Sequence, residues 1–332
     1  MPAPLRFALI GAGRIGRVHA STIAQHPAAT LVLVCDPVAE ASLAVASAHG
    51  ARSCTDTADV FGAADVDVVV IGSPTSLHPE HILASVRAGK PALCEKPVAM
   101  ELAVAEELGS RLADHPDVPV MMGFNRRFDP SFAKARALVA DGQVGELEQL
   151  TIISRDPAAP SSDYLAGSGG IFKDMTIHDF DTARFFLGDV TSVTATGQHL
   201  DPALAGSGDF DGAVIVLQTA TSAVATIVNS RHCATGYDQR LEAFGPKGSI
   251  LAENHRPTTV RLSTAASSDA QDPYLDFFLE RYADAYREEL TAFIDAVVAG
   301  RPVSPTVADG IAALRIAEAA AQSARTGRTV HL

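Results

Sequence analysis

Asp174 and His178 stand four residues apart in the run Gly169-Gly-Ile-Phe-Lys-Asp-Met-Thr-Ile-His-Asp-Phe-Asp-Thr-Ala-Arg-Phe-Phe186. On a helix entered from the glycine pair, that spacing puts both side chains on one face. A carboxylate one turn from an imidazole can orient the ring and set its proton affinity, which is what a general base requires. Phe172, Met175, Ala183 and Phe186 supply an apolar side that packs inward. Taken alone, such a pair is more often a solvated ion pair or a polar core contact. The elements that would position it therefore carry the argument.

The clearest of these lies at the start of the chain. Leu5 to Ile10 reads as a buried strand, and Gly11-Ala-Gly-Arg-Ile-Gly16 follows directly. A helix from about residue 17 to 26 and a second strand, Leu31 to Val34, lead to Cys35-Asp36. Strand, glycine turn, helix, strand and acidic residue together form the dinucleotide-binding fingerprint, with Arg14 and Ile15 inside it. Gly11 permits the tight turn, Gly13 lets a pyrophosphate approach the backbone, and Gly16 lets the helix pack on the strand. The helix N-terminus supplies amide donors for phosphate. Asp36 falls 20 residues after Gly16, where its carboxylate can accept from the ribose hydroxyls and would repel a 2′-phosphate. Pro37 and Val38 follow it, with no arginine to hold such a phosphate, so the reading is NAD rather than NADP.

The alternation continues. Val66 to Ile71 is a β-branched run ending in Gly72-Ser-Pro-Thr-Ser-Leu-His78, a loop at the carboxyl end of a strand, where ligands bind in such sheets. Ser73, Thr75 and His78 are candidates for lining a cofactor there, His78 as a helix-start or lining residue rather than a catalyst. Pro91 to Cys94 is a strand ending at Glu95-Lys96-Pro97, and Val118 to Met122 closes the sheet. This places a Rossmann domain over residues 1–123 and an α/β domain over 124–332. In the second, Asp129 and Pro130 read as N-cap and first residue of a helix. Residues 156–170, rich in Pro, Ser, Ala and Gly, read as a loop able to edge a site. Successive alternating segments from residue 190 to 262 predict a largely antiparallel open sheet, closed by helices near 276–299 and 307–324.

The bulk numbers bound the class. A chain of 332 residues, 47% hydrophobic, can bury two cores. A net charge of −13 should repel nucleic acid and anionic membranes. Cys35, Cys54, Cys94 and Cys233 have neither paired nor metal-type spacing, which fits a reducing cytoplasm. The first apolar run continues into the glycine loop, so it is expected to be a strand rather than a signal peptide, and no stretch is long enough to span a bilayer. The histidines show no metal-ligand spacing, and no metal is expected.

From Glu95-Lys-Pro97 onward the chain resembles the glucose–fructose oxidoreductase / inositol dehydrogenase family. Gly11-Ala-Gly-Arg-Ile-Gly16, Ser73-Pro-Thr75, Glu95-Lys-Pro97, Gly123-Phe-Asn-Arg-Arg-Phe128 and Lys173-Asp-Met-Thr-Ile-His-Asp179 carry the resemblance, in that order, over essentially the whole chain. The glycine-led form of the last motif, with Asn229-Ser-Arg-His232 and Gly236-Tyr-Asp-Gln-Arg240, is similar to the inositol 2-dehydrogenase branch. The resemblance implies NAD-dependent oxidation of myo-inositol at the 2-hydroxyl, with Lys96, Asp174 and His178 as the catalytic set and Glu95 and Lys96 beside the cofactor. It implies substrate contacts from Arg127, Asp156 and Tyr237, with Asn125, His232 and Tyr282 ranked behind them. It also implies a homotetramer built on the sheet face. Each residue has a plainer reading: Lys96 a loop cation, Arg127 an interface ion pair, Asp156 a turn residue, Tyr237 a half-buried strand aromatic. The rival activities are the same chemistry on scyllo-inositol, chiro-inositol or an aldose, and a non-catalytic NAD-binding sensor, which would be free to lose the catalytic set.

Overall fold

The computed structural model describes residues 3–161, 165, 167–204, 206 and 208–332. The chain forms two compact units, Met1–Phe128 with Asp284–Leu314, and Asp129–Ala283 with Arg315–Leu332.

In the first unit β1 (Leu5–Ile10), α1 (Arg14–Gln25), β2 (Ala29–Cys35), α2 (Ala39–Ala48), β3 (Arg52–Cys54), α3 (Thr57–Gly62), β4 (Val68–Ile71), α4 (His78–Arg87), β5 (Ala92–Glu95), α5 (Leu102–Leu112) and β6 (Val120–Gly123) alternate as expected. Every strand pair is parallel, in the order β3-β2-β1-β4-β5-β6. The order reverses between β1 and β4, and the carboxyl ends of these two strands carry the glycine loop and the Gly72-Ser73 loop. A crevice at such a switch point is where a parallel sheet takes its ligand. Burial on both faces explains the unbroken apolar run Val68–Ile71, in which every residue is buried.

The compact units divide elsewhere than at residue 123. The helix at Ala283–Val298 puts Leu290, Phe293 and Ile294 into the core of the parallel sheet with Phe7, Leu9, Val70 and Leu93. Phe293 meets Phe7 edge-on at 6.5 Å between ring centroids. The chain thus returns to the first unit after its long excursion.

The second unit holds α6 (Pro130–Ala140), β7 (Gln149–Arg155), α7 (Ile171–Asp174), α8 (Ile177–Leu187), β8 (Val190–Gln198), β9 (Gly212–Thr219), β10 (Val224–Ser230), β11 (Asp238–Gly245), β12 (Gly248–Ala252), the short hairpin β13 (Arg261–Leu262) and β14 (Ala270–Gln271), and α9 (Phe278–Arg281). Then come α10 (Ala283–Val298), α11 (Val307–Thr326) and β15 (Val330–His331). The Asp129 side chain caps α6, accepting from the N–H groups of Ser131 and Phe132 at 3.1 Å each. Seven strands run β12-β11-β7-β10-β9-β8-β15. All neighbours are antiparallel except β7 and β10, which makes the sheet mixed. Ala213, Ile215 and Leu217 of β9 are buried in the helix-covered core, whereas Val214 and Val216 on the other face are exposed, as are Phe244 and Leu251. One sheet face is therefore covered within the chain and the other is open, the alternation that antiparallel strands allow.

The helix expected across residues 169–186 is broken. α7 ends at Asp174 and α8 starts at Ile177. At the joint the Ile171 carbonyl accepts from Met175 at 3.0 Å and also from Thr176 at 2.9 Å, a five-residue turn of the π type. The loop expected over 156–170 includes residues 162–164 and 166, which lie outside the described residues.

Candidate active site

The dinucleotide-binding residues read from the sequence lie in the first unit. Gly11 has φ +98°, and a Cβ there would come within 2.4 Å of the Gly72 carbonyl oxygen; one at Gly16 would come within 1.9 Å of the Gly11 carbonyl oxygen. Both positions need glycine, one for its conformation and both for the close approach. A Cβ at Gly13 would meet nothing within 4 Å, so space stays open above the turn. α1, which Arg14 and Ile15 open, has no side-chain cap and no acidic residue in its first turn. Its amide donors and open space fit a pyrophosphate. Asp36 accepts from the Ala12 N–H at 2.8 Å and the Val38 N–H at 2.9 Å. The acidic residue is thereby tied to the glycine turn.

Ser73 bonds its hydroxyl to His81 Nδ1 at 2.9 Å, and Thr75 starts a 3-10 turn, Thr75–Leu77. His78 does not line the loop surface. It is 1% exposed, with Nδ1 at 2.7 Å from the Pro97 carbonyl oxygen and Nε2 at 2.9 Å from that of Ser73. It ties the Ser73 loop to the Glu95-Lys96-Pro97 turn from behind. Burial lowers its proton affinity, against the pull of the two carbonyls.

Glu95 ends β5, its Oε1 at 2.7 Å from Nε2 of the buried His19. Lys96, next in the chain, is half-buried. Glu289, in the same unit as Glu95, is fully buried, with neither oxygen hydrogen-bonded. Burial, followed by the neighbouring Glu95 carboxylate, pushes the Glu289 carboxyl well above the usual carboxylate range. Arg127 donates to Asp309 at 3.1 Å and to Ser304 at 3.5 Å. Burial opposes ionisation of Asp309, but the Thr306 N–H and the Arg127 guanidinium outweigh it and hold the carboxyl at about 2. Asn125 is buried.

Asp174 and His178 lie in the second unit. Asp174 is the last residue of α7 and His178 the second of α8, and both are half-buried. Fully buried neighbours hold the joint between them. Thr176 Oγ1 donates to Asn229 Oδ1 at 2.7 Å, and Asn229 Nδ2 donates to Asp179 Oδ2 at 2.9 Å. Arg231, with no exposed surface, donates from Nη1 to Asp209 Oδ2 at 2.6 Å and places Nη2 at 3.8 Å from Asp174 Oδ2. Asp209 Oδ1 accepts the Ile171 N–H at 2.9 Å. Gly170, φ +83°, leaves room for this, since a Cβ there would lie 2.8 Å from that oxygen.

Tyr237 is 6% exposed, its ring edge-on to Tyr282 at 5.9 Å, and the Tyr282 hydroxyl bonds Gln239 Oε1 at 3.3 Å. Asp156 follows β7 half-buried, its N–H bonded to the Ser230 carbonyl at 2.9 Å. His232 lies 3.8 Å from Asp201 and 3.7 Å from Asp211. Among the described residues no cluster of His, Cys, Asp or Glu could hold a metal ion, and no helix is long and apolar enough to cross a membrane.

Sequence reading did not single out Arg231, Asp209, His19 or Glu289 as site residues. Arg231 stood inside the quoted Asn229-Ser-Arg-His232, where the two-residue spacing of Asn229 and Arg231 on a strand was the available signal. Asp209 lies in a segment without periodicity and gave none.

Two family models match the chain: an oxidoreductase family with an NAD-binding Rossmann fold over residues 5–124, and the GFO/IDH/MocA C-terminal domain over residues 132–251. The chain is similar to an inositol 2-dehydrogenase of Rhizobium meliloti, 45% identical over 332 residues and 99% of each chain. It is similar to the structure of a myo-inositol dehydrogenase from Corynebacterium glutamicum, TM-score 0.96, 50% identical, covering 99% of both. A scyllo-inositol dehydrogenase from Lactobacillus casei, solved with NAD(H) and scyllo-inositol, matches with TM-score 0.92, 29% identity and 99% of both chains.

Proposed function

The chain belongs to the GFO/IDH/MocA family of oxidoreductases, and we propose that it oxidises myo-inositol at the 2-hydroxyl to the 2-keto product with NAD. The observation that carries this reading is the half-buried Asp174/His178 pair, set at a helix joint whose other polar groups are buried and bonded. NAD supplies the hydride acceptor. Neutral His178 takes the hydroxyl proton, and Asp174 orients its ring and stabilises the imidazolium that forms. Lys96 donates a hydrogen bond to the reacting oxygen and stabilises negative charge there. Tyr237, Asp156 and Arg127 pair with the other ring hydroxyls; Arg127 would do so from a position fixed by Asp309. The Asp36 carboxylate favours the free ribose hydroxyls of NAD over a 2′-phosphate.

The open sheet face, with Val214, Val216, Phe244 and Leu251 exposed, supports a homotetramer built on it. Four free cysteines support a reducing cytoplasm. The same chemistry on scyllo-inositol is the second reading, favoured by the likeness to the Lactobacillus casei enzyme.

The test is NADH formation by the purified protein with myo-, scyllo- and chiro-inositol and a set of aldoses, in parallel with NADP. Turnover of myo-inositol with NAD, exceeding that of every other polyol, is the expected result. Faster turnover of scyllo-inositol would replace the substrate. Cofactor binding with no turnover of any polyol would replace the enzyme by an NAD-binding sensor.

A further inference from the structure

Asn229 and Arg231 sit at and just past the end of β10, two residues apart, so both side chains leave the sheet on one face. Asn229 grips the joint through Thr176 and Asp179. Arg231 reaches both ends of the one-turn helix α7: through Asp209 it meets the Ile171 N–H at the start, and its Nη2 faces Asp174 at the end. A four-residue helix has little stability of its own, so its orientation depends on such tethers.

The guanidinium has no exposed surface, and its Nε and Nη2 make no hydrogen bond. Burying a cation with two unmet donors costs stability, so its place beside α7 calls for an explanation. Among the described residues, the carboxylates of Asp209 and Asp174 face it. Its own N–H is held by the Asp211 carbonyl at 2.8 Å, which fixes the backbone from which it extends. The 3.8 Å separation from Asp174 is within ion-pair reach and longer than a hydrogen bond.

The geometry points to Arg231 as a positioning residue: through Asp209 and Asp174 it fixes α7, and with it the carboxylate that orients His178. This rests on the proposed alcohol oxidation. Without the guanidinium, the Asp209 and Asp174 carboxylates lose the cation that links them to one anchor. A displacement of about 1 Å at such a residue can cost on the order of 100-fold in rate.

The experiment compares wild type, Arg231→Met, Arg231→Lys and Asp209→Asn as full-length proteins. Expected for Arg231→Met is a kcat lower by about 100-fold, with KM for NAD within about two-fold of wild type; Arg231→Lys should recover roughly ten-fold of the loss. A merely structural role would lower thermal stability and leave kcat per folded molecule alone. A folded Arg231→Met with kcat within about two-fold of wild type overturns the assignment. Should that variant fail to fold, Asp209→Asn decides: kcat reduced at least about five-fold at unchanged KM for NAD supports it, and unchanged kcat overturns it. A wild type that turns over no polyol defeats the proposed reaction and not this inference. The inference is then read from the imidazole nitrogen resonances of His178 in histidine-labelled protein. They must move in Arg231→Met or Asp209→Asn, and resonances identical to wild type in both overturn it.

Discussion

Glu289 gives a sharp test of how the interior of the first unit is charged. Its side chain is fully buried on α10, neither oxygen is hydrogen-bonded, and it faces the carboxylate of Glu95, itself bonded to His19. Burial and that like charge raise its carboxyl well above the ordinary value. The folded protein therefore holds a proton that the unfolded chain releases near pH 4.3. The stability this group permits is complete below that pH and is lost as pH rises toward the folded value. Each unit inside the window costs about 1.4 kcal/mol. Glu289→Gln keeps the shape and cannot ionise. Its buried amide carries a fixed penalty of about 1–3 kcal/mol, the same at every pH. The slope, not the intercept, is the signature. The melting temperature of the variant minus that of wild type, measured without cofactor from pH 5 upward, should rise by about 3 °C per pH unit, taking about 2 °C per kcal/mol for a chain of this size. A difference that stays flat with pH would mean that Glu289 is ionised in the folded protein, and the reasoning would fail.

Asp36→Ala removes the acceptor of two backbone N–H groups, so it should lower stability by roughly 1–2 kcal/mol as well as weaken NAD and narrow the preference over NADP. An unchanged NAD-to-NADP ratio of kcat/KM would take Asp36 out of its role. His178→Ala should lower kcat by about 100-fold or more with NAD affinity retained in a titration; near-normal turnover would sink the general-base assignment. Asp309, held at about 2, contributes stability that is present above the usual carboxylate value and is lost as pH falls from about 4 toward 2. Asp309→Asn should therefore cost about 2 kcal/mol in urea unfolding at neutral pH and almost nothing near pH 2; an equal cost at both would refute the pairing with Arg127 and Thr306.

What the sequence disclosed and what it hid divide along a physical line. The glycine turn, the parallel strands and the Asp129 cap depend on neighbours in sequence, and they stand where the residue types put them. Period 3.6 marks α10 as a helix with one buried face. It does not say which core takes Phe293, and a boundary drawn at residue 123 assigns that face to the wrong sheet. The break between α7 and α8 is equally invisible, for Met175 and Thr176 are not helix breakers. What accompanies the turn there is the Thr176 hydroxyl, bonded both to the Ile171 carbonyl at 3.2 Å and to Asn229, more than fifty residues away. Asp174 and His178 could be named from their spacing, but the spacing argument assumed one continuous helix. The structure sets them on either side of a joint instead, and two residues at a distant strand end, Asn229 and Arg231, contact that joint and the short helix before it. Candidate reactive groups can be read locally, because chemistry restricts their types. The groups proposed to aim them meet through tertiary contact alone, and the buried Arg231, with Nε and Nη2 unbonded, is the sign that points to one.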